Sequence, residues 1–189
     1  MGDKEQTDLG YIEAALDELE TYLHSGDLFG SLRGYQSLSA IPFPHLTLGG
    51  LLLALKRSRS RTLSAKNQSR LGHFQSQLET LHTKWRVAWE KKATKEYRSR
   101  LRQWANYLND LQGDADEYAD YYGQEVRLRV MLELLADDAR EILADDVNIL
   151  TSLDQRLLNR FVQDSFIWDE ELSEGFSKER FWFLWGKLI

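Results

Sequence analysis

Lys84, Lys91, Lys95, Arg98 and Arg102 recur at helical intervals. On one continuous helix they fall within about 60° of each other and form a stripe more than about 20 Å long. A row of cations like this tracks the phosphates of a nucleic acid, with an affinity that falls steeply in salt, or meets an acidic protein surface. Lys56, Arg57, Arg59 and Arg61 form a second cluster upstream. The acidic counterpart is Glu133, Asp137, Glu141 and Asp145, each four residues after the last, a spacing at which like charges repel by a few tenths of a kcal/mol, about 0.3, per pair. Either a third helix covers one stripe, or the basic stripe of one copy meets the acidic stripe of another and the protein is a salt-sensitive oligomer.

Metal and catalytic chemistry have less support. Glu79 and His82 form one Glu-x-x-His, whereas di-iron bundles use two such motifs with further carboxylates. In an antiparallel hairpin Glu141 and Asp145 approach His82, but a chain with 4 histidines and 30 carboxylates yields one such match by chance. There is no cysteine, no glycine-rich phosphate loop, no Gly-x-Ser-x-Gly and no His-Glu-x-x-His. The expectation is a protein without metal or cofactor that is not an enzyme.

Two apolar stretches are ambiguous between core and interface. Leu46 to Leu55 runs straight into the basic cluster, which suits a membrane surface, but it is too short to span a bilayer and equally describes a buried helix with a charged exit. Burial is the stronger reading, so peripheral membrane contact is not expected; Gly2 lacks the Ser or Thr that myristoylation needs, Gln6 standing there instead. At the other end, Phe181, Trp182, Phe183, Leu184 and Trp185 are consecutive and cannot share one face of a helix. They pack against the base of the fold or, through Phe181, Trp182 and Trp185, form an aromatic interface with a partner.

The elements that must position these residues are helices. Leu9, Ile12, Leu16, Leu19 and Leu23 step by 3 and 4 along one face of a first helix, which Gly26 ends. Turns follow to Phe43-Pro44-His45, and a second helix starts near Thr47. From Ser64 to Gln112 there is no proline and a single glycine, Gly72, which predicts one long helix. Its first half presents Leu71, Phe74, Leu78, Leu81, Trp85 and Trp89; its second presents Tyr97, Leu101, Trp104, Leu108 and Leu111. The two stripes lie about 120° apart, so the helix either breaks near residue 90 or runs on with a changed partner, and the continuous form is the one expected. Gly113 stops it, and Asp114 with Glu117 caps a second arm carrying Tyr118, Tyr121, Glu125, Leu128, Leu132, Leu135, Ala139 and Ile142 at heptad spacing. The short turn makes the arms antiparallel. Ser152 with Gln155 suggests a further helix, and Ser177 a last one.

The predicted fold is therefore all-α, a helical bundle built on a long antiparallel coiled-coil-like hairpin. Residues 1–189 form a single helical domain: 1–62 the N-terminal helices and loop, 64–146 the hairpin, 150–189 the C-terminal helices. The chain has 189 residues, 42% of them hydrophobic and 29% charged, enough to fold around a core. Its net charge of −6 conceals −6 over residues 1–50, +10 over 51–110 and −10 over 111–189. No apolar run reaches membrane-spanning length, and the polar start argues against a signal peptide, so the expected location is cytoplasmic. Together these features point to a non-enzymatic helical interaction or scaffold protein, self-associating through complementary charged faces or binding a protein partner. The alternative is a nucleic-acid-binding helical protein using the basic 56–102 segment.

Overall fold

A computed structural model describes residues 2–32, 42–140 and 142–189, and its architecture is an all-α helical bundle with one small sheet. Helix α1, Gly2–His24, buries the stripe of Leu9, Ile12, Leu16, Leu19 and Leu23. Helix α2, Leu48–Ser60, starts where Thr47 accepts a hydrogen bond from the Gly50 N–H (3.0 Å), satisfying one of the free amides at a helix start. It buries Leu48, Leu51 and Leu55, and Leu46 just ahead of it, in the same core. The apolar stretch that resembled a membrane anchor is thus interior, and among the described residues no helix is long and apolar enough to cross a membrane.

The long helix is not continuous. Helix α3, Ala65–Lys84, capped by Ser64, gives way to α4, Arg86–Gly113, at Trp85, whose φ of −115° and ψ of 29° leave the helical region. The interruption is a single residue: the Trp85 N–H still donates to the Leu81 carbonyl and its own carbonyl accepts from Trp89, both at 2.9 Å. The break falls where the apolar face changes. Leu71, Phe74 and Leu78 pack toward α1, and Trp89, Tyr97, Leu101, Trp104 and Leu108 pack into the rest of the bundle.

The return arm is also fragmented. Asp114 does cap it, accepting from the Glu117 N–H (3.1 Å), but the arm then breaks into α5, Ala115–Tyr118, a 3₁₀ turn at Ala119–Tyr121, α6, Tyr122–Glu125, and α7, Arg127–Ala136. Only Leu128, Leu132 and Leu135 of the expected seam are buried, and Tyr121 is 54% exposed. Tertiary hydrogen bonds hold this segment instead: Tyr107 Oη donates to the Tyr118 carbonyl (3.1 Å), Tyr122 Oη to that of Phe183 (2.7 Å) and Trp168 Nε1 to that of Gly123 (2.8 Å). The arm still runs antiparallel to α4, with Tyr107 by Tyr118 near the turn and Glu90 facing Arg140 (3.9 Å) at the far end. Helix α8, Ala144–Leu158, then runs back alongside α4, Asp146 pairing with Arg98 (3.1 Å) and Arg156 reaching the Leu108 carbonyl (3.3 Å).

Beyond α8 the expected helices are replaced by an antiparallel strand pair, β1, Phe161–Phe166, and β2, Trp185–Leu188, with 3₁₀ turns between them. Ser152 lies inside α8, and Ser177 caps no helix. The aromatic run itself turns through Trp182–Leu184 and enters β2 only at Trp185, and the close approach of the strands at Gly186 needs a missing side chain: a Cβ there would lie 2.2 Å from the Val162 carbonyl oxygen.

Buried tyrosines tie the layers together and predict an alkaline limit. Burial pushes the Tyr11 phenol up to about 12, and it also raises Tyr22, Tyr107 and Tyr122. An unfolded tyrosine ionises near pH 10, so these neutral phenols contribute stability that is complete below about pH 10 and is lost as pH rises through the folded values. Tyrosinate absorbance followed alongside circular dichroism is expected to show the buried phenols ionising together with the loss of helix. Full ionisation with the helices intact would contradict this.

Candidate interaction surfaces

The break at Trp85 separates Lys84, on α3, from the other four cations of the basic stripe. Lys84 Nζ lies 3.2 Å from Glu20 and 4.9 Å from the centre of the Trp85 ring, so it braces α3 against α1. Lys91, Lys95, Arg98 and Arg102 remain together on α4, but their roles differ. Lys95 Nζ donates to the Gly26 carbonyl (2.6 Å) and Arg98 pairs with Asp146. Lys91 and Arg102 are exposed, and among the described residues neither has a hydrogen-bond or ion-pair partner.

Two recesses line this face. One, of about 700 Å³, opens at the Trp85 break and is lined by His24, Lys84, Trp85, Lys91, Lys92 and Lys95. The other, of about 330 Å³, holds Glu90, Lys91, Lys95, Arg98, Arg102 and Arg140. Lys91 and Lys95 line both, so they form one basic groove along α4.

Spacing alone missed Lys92 and Arg140. The Lys92 side chain is buried, its ammonium donating to the carbonyls of Ser25 (2.9 Å) and Asp27 (2.7 Å) just past the end of α1 and lying over Tyr22. Burial, then the neighbouring Lys95 charge, hold it below the usual lysine value. The only sequence signal was the end of α1 itself, whose free carbonyls attract a cation. Arg140 lies beyond α7 and reaches the groove through Glu90, a tertiary contact with no trace in the sequence.

The upstream cluster serves the fold. Asp8 of α1 accepts from both Arg57 and Arg61, and Arg61 also pairs with Glu171 (2.9 Å). The Lys56 ammonium sits over the rings of Phe176 and Phe181 at 5.0 and 4.9 Å. Only Arg59 of the four is exposed without a described partner.

The acidic stripe is partly neutralised within the chain. Glu133 pairs with Arg129 and Arg180, both at 3.0 Å, and Asp137 with Arg180 (2.7 Å). The bond to Asp137, acting against the cost of burial, raises the Arg180 guanidinium further. No third helix covers the stripe among the described residues; Arg180, in a turn of the C-terminal segment, is what reaches it. Asp137 nevertheless keeps 62% of its side chain exposed, and Asp145 is exposed too; Glu141 lies outside the described residues.

The aromatic run is mostly interior. Phe181 is 2% exposed, which removes it from any interface. Trp182 and Trp185 are half-buried, Trp182 packing edge-on to Phe161 and Phe183 at 5.6 Å, and Trp185 Nε1 donating to the Phe176 carbonyl (2.7 Å). His82 of the Glu-x-x-His pair faces Asp138 (3.6 Å) and packs against Trp89. Among the described residues no three histidines or carboxylates come together as metal ligands would.

No family model matches the chain, and no curated protein or solved structure matches it either.

Proposed function

We propose that this chain is a non-enzymatic helical interaction protein whose working surface is the basic groove of α4, and that the groove takes an acidic partner, in the first instance the acidic surface of a second copy. The observation that carries the reading is the pair Lys91 and Arg102, exposed in one groove without a described carboxylate partner, while Arg57, Arg61, Arg129 and Arg180 are all matched internally. A protein of net charge −6 that gathers unmatched cations in one recess has a place for an anionic surface, and its own exposed Asp137 and Asp145 supply one. The row of Lys91, Lys95, Arg98 and Arg102 also suits phosphates, which keeps nucleic acid as the second reading.

Molar mass by light scattering after size exclusion, at low and high salt, tests the self-association. Particles larger than the 22.1 kDa chain at low salt, dissociating in high salt and free of excess nucleic-acid absorbance, are expected. The double variant Lys91→Glu/Arg102→Glu should remain at monomer mass in both. A wild-type monomer at both salts removes the second copy as partner, and nucleic-acid absorbance that is lost in high salt moves the second reading forward.

A further inference from the structure

A second cavity, away from the groove, has different chemistry. It encloses about 310 Å³ between α1, α2 and α7, and among its lining residues are Phe29, Phe43, Met131, Arg57, Arg100 and Arg127. That volume lies within the range of small-molecule sites, which are mostly apolar with a few placed polar groups. Tyr11 forms part of the wall, 5% exposed, its ring edge-on to Phe43 (6.0 Å) and its hydroxyl donating to the His45 carbonyl (3.2 Å).

The guanidiniums are unequally engaged. Arg57 turns Nε and Nη2 to Asp8, leaving Nη1 with no described partner. Arg100 bonds Glu96 (3.1 Å), Gln103 (3.0 Å) and Thr47 (3.2 Å), and lies 5.8 Å from the centre of the Phe29 ring. Arg127 is exposed and makes no hydrogen bond or ion pair among the described residues. Counting Arg61, which shares Asp8 with Arg57 and also pairs with Glu171, four guanidiniums meet three carboxylates, Asp8, Glu96 and Glu171, and the surplus charge belongs to Arg127. One unmatched guanidinium on an apolar cavity complements one negative charge on an apolar body, and its planar fork fits a carboxylate with two parallel bonds.

We infer that this cavity binds a small amphipathic carboxylate, its head on Arg127 and the open Nη1 of Arg57, its apolar body against Phe29, Phe43 and Met131. The site shares no residue with the α4 groove, so the two readings succeed or fail separately.

Calorimetric titration of octanoate into the full chain, with 1-octanol as the uncharged probe of equal length, tests the inference. Saturable one-to-one binding of octanoate is expected, weakened at least about tenfold both for octanol and for octanoate with Arg127→Gln. Since Arg127 is exposed and has no partner among the described residues, circular dichroism of the variant should match the wild type. Equal binding of octanoate and octanol, octanoate binding unchanged by Arg127→Gln, or no saturable heat with octanoate would each overturn the site.

Discussion

Glu96→Ala is expected to lower the stability of the fold by about 3–5 kcal/mol, the range for removing one partner of a buried ion pair. The Glu96 side chain is fully buried. It accepts from the Gly49 N–H (3.1 Å) at the start of α2 and from Arg100 one turn along α4 (3.1 Å). Alanine leaves the Gly49 amide without its acceptor and the largely buried Arg100 guanidinium without its carboxylate, only the neutral acceptors Gln103 and Thr47 remaining to it, in the place where α1, α2 and α4 meet. The approach is close enough that a Cβ on Gly49 would lie 2.8 Å from Glu96 Oε1, so the glycine and the carboxylate form one device. Urea denaturation should show the midpoint falling with little change in slope. Glu96→Gln keeps an acceptor for Gly49 and should lose less. A loss under about 1 kcal/mol for the alanine variant would mean that Arg100 swings to solvent and the carboxylate is not needed.

Asp8→Ala comes next, at about 3 kcal/mol or more. Asp8 is 6% exposed and holds Arg57 and Arg61 against α1, and Arg61, itself buried, continues to Glu171 in the C-terminal segment. Its removal leaves a buried guanidinium with one remaining carboxylate and loosens the join between the chain's two ends. Glu13→Ala provides the comparison. Glu13 pairs with Arg70 at 3.0 Å on the surface, where such a pair contributes at most about 1 kcal/mol. If the two variants lose equal stability in the same denaturation experiment, the Asp8 junction has no special structural weight.

How much was legible in the sequence depends on the range of the forces involved. The first helix, the Thr47 start, the Gly113 stop and the Asp114 cap are local, and each is present. The change of apolar face along residues 71–111 was legible too, but not its outcome. A break at Trp85 and a longer bend produce the same stripes, and only the positions of α1 and α7 decide between them. The broken return arm was hidden because heptad spacing at Tyr118 and Tyr121 competes with hydrogen bonds from Tyr107, Tyr122 and Trp168 to distant backbone. The C-terminal strands were lost for another reason: β1 carries Gln163, Asp164 and Ser165 in a row and β2 is four residues long, so neither shows the alternation by which a strand is read.

The same division holds at the site. Spacing located the cations on α4, because i, i+3 and i+4 neighbours share a face. Which of them remain open depends on Asp146, 48 residues beyond Arg98, and on Gly26, 69 residues before Lys95. No periodicity carries that information. Arg127 and Arg100 escaped notice for the same reason, since their cavity is assembled from segments far apart in the chain.

Titration of fluorescent poly-L-glutamate with the wild type and with Lys91→Glu/Arg102→Glu, followed by anisotropy at low and high salt, shows whether the α4 groove receives an acidic surface. Neither residue has a described partner, so the variant should keep the wild-type fold. The wild type, despite its net negative charge, is expected to bind the polyanion at low salt and release it at high salt, and the variant to bind at least about tenfold more weakly. Equal binding by the two proteins, or no binding by the wild type at low salt, would contradict it.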